Sequence, residues 1–101
     1  MGAVGVSEAA AGLARAWCSQ VLARVGSAEV KVLRMDAMPV EEEWHEQAEV
    51  LLVLDGRLEL VVEGAVVPVG PGGLYVVEAG VRHAVGPGSR GTLVIVEAPA
   101  G

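Results

Sequence analysis

From Glu49 onward glycine recurs every few residues, and what lies between the glycines is short, aliphatic and broken before any helical periodicity can build. The runs EVLLVL, RLELVVE, AVVPV, LYVV and TLVIVE are separated by Asp55-Gly56, Gly64, GPGG and GPGSRG. Short strands at close spacing with turn residues between them predict an antiparallel sandwich or barrel, because each needs a partner within one turn and a shared apolar face. In this reading Asp55-Gly56 is a tight hairpin turn whose central residues need positive φ. GPGSRG is a mobile loop and APAG a frayed tail.

The first third of the chain differs. Ser7 is placed to cap a helix over Glu8 to Trp17, with Glu8 in the first turn and Ala10, Leu13, Ala14 and Trp17 on one face. QVLARV and EVKVLRM then predict a hairpin around Gly26-Ser27. At 101 residues the chain is expected to form one domain, residues 1–101, with one core and one site.

Charge and cysteine content narrow the partners. A net charge of −6, with lysine and arginine few and scattered, argues against nucleic acid and anionic membrane. No apolar run reaches bilayer length, the N-terminus lacks the pattern of a secretory signal, and Val6 stands where a myristoylation site after Gly2 would need Ser or Thr. Cys18 is the only cysteine, so an intrachain disulfide is excluded and a cytoplasmic setting is expected. Beside Trp17 and without a neighbouring base, Cys18 reads as a small half-buried hydrophobe.

The stretch EEEWHEQAEVLLVLDG carries the chemistry. As one strand from Glu43 to Leu54 it places Glu43, His45, Glu49, Leu51 and Val53 on one face and Trp44, Val50, Leu52 and Leu54 on the other. Both faces are apolar toward Gly56, so the outer one needs cover, which the N-terminal segment and a second subunit would supply as a homodimer. The inward imidazole and carboxylates suit a divalent transition metal, and the only other histidine is His83.

With these residues in place the sequence resembles the cupin superfamily, small double-stranded β-helix (jelly-roll) barrels marked by two motifs. His45, three residues, Glu49, six residues and Gly56 match the second half of the first motif, and Gly72, Gly80 and His83 fall at spacings of the second. The family's first histidine is replaced by Glu43, its proline by Glu78 and its asparagine by Pro87. A second register, with His45 as that first histidine, would require a deletion within a strand. The resemblance covers roughly residues 35–97, after a helix and hairpin at about 7–36. It implies an all-β cupin barrel in which His45, Glu49 and His83 are metal ligands, with Glu43 a fourth.

Two carboxylates would balance the charge of a divalent ion, weaken it as a Lewis acid and favour harder ions such as Mn or Fe(II), though Ni, Zn and Cu are equally compatible with the donor types. Without metal, Glu43 and Glu49 are expected to repel and to raise at least one pKa. Met35, Tyr75 and Glu78 are candidates for a ligand pocket, while Arg82, opposite in parity to His83, is expected to point outward. The functional expectation is a metal-binding barrel that binds or acts on a small organic molecule. Its alternative is a metal-free ligand-binding or sensor barrel.

Overall fold

The computed structural model describes residues 2–99, which form one short helix and eight strands. In chain order these are α1 (Val6–Ala11), β1 (Gln20–Val25), β2 (Ala28–Met35), β3 (Val40–Glu43), β4 (Glu49–Val62), β5 (Ala65–Val69), β6 (Leu74–Val77), β7 (His83–Val85) and β8 (Arg90–Glu97). All pairings are antiparallel: one sheet runs β1-β2-β8-β4-β6 and the other β5-β4-β7-β3. The all-β jelly-roll architecture expected from the sequence is the one the chain adopts.

Strand β4 belongs to both sheets, and Asp55-Gly56 explains how. Rather than a hairpin turn, these residues form a bend inside one continuous strand, where the register against β8 shifts between Val53 and Asp55. Gly56 has φ 78° and lies opposite Gly91, φ 98°. A Cβ at Gly56 would collide with the Arg90 carbonyl, and one at Gly91 with the Asp55 carbonyl. The paired glycines let the two backbones close on each other while the irregularity turns β4 from one sheet into the next. The true turn comes at Glu63-Gly64, both at positive φ (48° and 83°), with Val62 paired to Ala65.

Alternation then sorts the side chains. Leu51, Val53, Leu58 and Leu60 of β4 meet Leu33 and Met35 of β2 and Leu93 of β8 between the sheets. Each fully buried aliphatic side chain contributes roughly 1.5–3 kcal/mol, enough for this row to dominate the core. The hairpin of β1 and β2 forms around Gly26-Ser27 as the sequence predicts.

Three local expectations are corrected. The helix is shorter than Glu8 to Trp17: Gly5 is its N-cap, no side chain caps it, and it stops at Gly12, whose N–H bonds to the Glu8 carbonyl (3.1 Å). Glycine disfavours helix continuation, and Trp17 gains more by entering the barrel than by extending one turn. Cys18 is exposed, not half-buried, because the chain there has already left the helix. GPGSRG is pinned rather than loose: Ser89 is fully buried, its hydroxyl accepts the Glu59 N–H (2.9 Å), and Gly86 N–H bonds to the Glu59 carbonyl (2.8 Å). Of APAG, Ala98 and Pro99 follow β8, and the rest lies outside the described residues. Trp44 and Arg82 face outward, as expected.

Candidate metal centre

The site forms where the sheets meet at one end of the barrel. Strands β3 and β7 place Glu43 directly opposite His83, so both side chains share a face. Glu49 opens β4 in the other sheet, opposite Glu97 of β8. Contrary to the sequence reading, Glu43 and Glu49 are not on one strand. Residues 44–48 leave the ladder and cross between sheets, and the His45 carbonyl anchors the crossing by accepting the Gly80 N–H (2.8 Å).

The crossing brings Glu43, His45, Glu49 and His83 together. His45 Nε2 lies 3.5 Å from Glu43 Oε1 and 3.9 Å from Glu49 Oε1; His83 Nε2 lies 3.0 Å from Glu49 Oε1 and 3.8 Å from Glu43 Oε1. Each of these pairs is close enough for one ion, with bonds of about 2.0–2.2 Å, to touch both members. Glu49 and His83 are buried, while His45 and Glu43 face the opening.

His83 carries the sharpest polar signal. Its Nδ1 is 3.0 Å from the Val81 carbonyl, which can only accept, so Nδ1 carries a proton and, whenever the ring is neutral, Nε2 turns a bare lone pair inward. That Nε2 is buried without a hydrogen-bond partner and faces the Glu49 carboxylate. Two lone pairs at this distance repel unless a proton or a cation lies between them.

Behind Glu49 stands Glu97, which the sequence reading missed. Burial first, then the hydrogen bond and charge of Glu97, push the Glu49 pKa up to about 7, against the smaller opposing pull of the two histidines. The expected carboxylate repulsion therefore comes from Glu97 on the neighbouring strand, not from Glu43. Burial also works to raise Glu97, but hydrogen bonds from Lys31 and Glu49 outweigh it and hold Glu97 below the usual range. Donor atoms of His45, Glu49 and Glu97 lie within 4.8 Å of one another, as do those of Glu43, His45 and His83. A signal for Glu97 was present: in TLVIVE the inward parity of Leu93 and Ile95 continues to Glu97.

Of these polar residues Glu43, Glu49 and His83 line a cavity of about 180 Å³, whose remaining wall is aliphatic except for Trp17. Met35 is buried in the core, Tyr75 packs partly buried against it and Glu78 is exposed, and none of the three lines this cavity. A second, open depression on the far side of His45 is bordered by Lys31, Trp44 and Glu97.

A family model described as "Cupin domain" matches residues 33–98. The chain belongs to the cupin family. No curated protein matches this cupin's sequence. Among solved structures, it is similar to a cupin-2 domain containing protein from Shewanella frigidimarina (18% identity, 95% of this chain and 94% of that one, TM-score 0.87). It is also similar to protein NMB1881 from Neisseria meningitidis (15% identity, 97% and 100%, TM-score 0.82) and to KdgF from Halomonas sp. (19% identity, 82% and 78%, TM-score 0.70). At these identities the likeness establishes the cupin fold alone. No helix among the described residues is long and apolar enough to cross a membrane.

Proposed function

We propose that this cupin binds one divalent transition metal through Glu43, His45, Glu49 and His83, and binds or acts on a small organic molecule beside it. The observation that carries this reading is the buried, unpartnered Nε2 of His83, oriented by the Val81 carbonyl and aimed at a buried carboxylate. An imidazole fixed through its far nitrogen is the usual preparation of a histidine for metal. Bound there, the ion would supply Lewis acidity, moderated by two carboxylates. Mn, Fe, Ni, Zn and Cu all accept this mixed donor set.

The chain's own residues set the rest. Glu49 must give up its proton for the ion, while Glu43 and His45, at the opening, stand where a ligand would approach. The metal-free reading draws support from the aliphatic cavity, which would hold an apolar ligand without an ion.

The deciding test is elemental analysis of protein purified without a histidine tag, alongside His45→Ala and His83→Ala. Close to one equivalent in the parent, lost in both variants with the fold intact by circular dichroism, is the expected result. Little metal in the parent, or metal retained in both variants, would sink the proposal and favour the metal-free barrel.

We also propose a homodimer, supported by the outer face of β4 and β6. The pairing sets Val50 against Val76 and Leu52 against Leu74, and Leu54, Leu74 and Val76 are 41%, 58% and 41% exposed. A cytoplasmic setting fits a lone, exposed cysteine.

A further inference from the structure

The wall of the cavity nearest the N-terminus is built from one tryptophan in a costly conformation. Trp17 has φ 64°, and among the described residues Glu63, in a hairpin turn, is the only other non-glycine at positive φ. For a bulky residue this region is strained and persists only where surrounding contacts impose it. Those contacts are present. The Trp17 N–H bonds to the Arg34 carbonyl (2.9 Å), extending the ladder of β2 past the start of β1, and the indole Nε1–H bonds to Asp36 Oδ1 (3.3 Å). Asp36 is itself held, because the same oxygen accepts the Met38 N–H (2.8 Å). The Arg34 guanidinium ties down the preceding chain through the Leu13 carbonyl (3.3 Å). The result is a half-buried indole fixed at both ends, lining the same cavity as Glu43, Glu49 and His83.

The size and lining of that cavity limit its occupant. Its volume is about 180 Å³. An apolar cavity of about 150 Å³ is filled by a benzene ring. Polar groups gather at one end, and Leu33, Val40, Ile95 and Trp17 form part of the apolar remainder.

We infer that Trp17 is the specificity-determining wall of this cavity, selecting a small ligand with a chelating anionic head and an apolar body no larger than one ring. The head rests on the metal reading above; the body rests on Trp17 and the cavity alone. An indole held by hydrogen bonds at both its backbone and its ring nitrogen loses little further freedom when a ligand packs on it, so its contact area is available for recognition.

Benzohydroxamate and acetohydroxamate test this, since they share a chelating head and differ only in the body. Calorimetric titration into nickel-loaded Trp44→Phe protein, in which Trp17 is the sole tryptophan, should give benzohydroxamate an advantage of about tenfold or more. Trp17→Ala in that background should reduce the advantage to within about threefold while nickel content stays at the parent level. Equal affinities in the parent background, or an advantage that survives Trp17→Ala, would overturn the inference and leave the metal site standing. Should Trp17→Ala fail to fold, Trp17 emission decides without any change at that position: benzohydroxamate must perturb it at lower concentration than acetohydroxamate, and equal concentrations refute the inference. If the protein takes up none of Mn, Fe, Ni, Zn or Cu, the metal reading fails by itself, and toluene is titrated into the metal-free protein. Toluene that shifts Trp17 emission supports the apolar wall, and toluene that leaves it unchanged refutes it.

Discussion

At the scale of single residues, the chemistry of the site is governed by a proton on Glu49. Its pKa is raised from 4.5 to about 7, so below about pH 7 the neutral form is favoured in the folded, metal-free protein. That contribution to stability is fully present below about pH 4.5 and is lost as the pH rises through about 7. Urea denaturation of metal-free protein should therefore show Glu49 costing on the order of 3 kcal/mol at pH 8 relative to pH 5, a dependence that Glu49→Gln flattens. Glu97 acts in the opposite sense, its depressed pKa adding stability above the ordinary carboxylate range and losing it on acidification. Metal must displace the Glu49 proton, so affinity should climb between pH 6 and pH 8, with about one proton released on uptake. Glu97→Gln removes the carboxylate that holds this proton. Competition with a chromogenic chelator should then show tighter metal binding at pH 6, by about threefold or more, and little change at pH 8. An unchanged pH profile would mean that Glu97 does not control Glu49.

At the scale of elements, the long strand β4 makes the barrel possible. Its passage between sheets depends on Gly56 and Gly91, where positive φ and backbone contact coincide. Gly56→Ala and Gly91→Ala should each destabilise the fold by about 2–4 kcal/mol, read as a lowered urea midpoint, because the clash is with backbone and cannot be relieved by a side-chain rotation. Gly64→Ala is the control. It has φ 83° but open space around it, and should cost only about 1 kcal/mol. A strand and a turn can share the dipeptide Asp-Gly, since both uses draw on the same conformational freedom of glycine. What separates them here is the glycine on β8 that faces Gly56, a partner far away in sequence. The helix ends earlier than its spacing predicts for a related reason: the spacing of Ala10, Leu13 and Trp17 is helical, but the destination of Trp17 is a cavity built from strands that follow it.

At the scale of the whole molecule, the outer aliphatic face of β4 and β6 is the basis for the proposed homodimer. Light scattering should give twice the monomer mass for the parent and the monomer mass for Leu74→Glu, since a charge at the centre of an apolar contact carries a desolvation cost that its partner surface cannot offset. A monomeric parent would remove the dimer without touching the metal proposal. Alternation of apolar residues and glycine punctuation were enough to determine an antiparallel sandwich or barrel, and the spacing of His45, Glu49, Gly56, Gly80 and His83 carried the resemblance to cupins and, with strand parity, singled out Glu43, His45, Glu49 and His83, because these are local or fixed-interval properties of the chain. Which carboxylate faces Glu49, why β4 bends and where Trp17 goes were decided only by the tertiary structure. Each depends on the register between β4 and β8 or on the seating of an early segment beside β2, and such pairings between distant residues are set by the packing of the whole core.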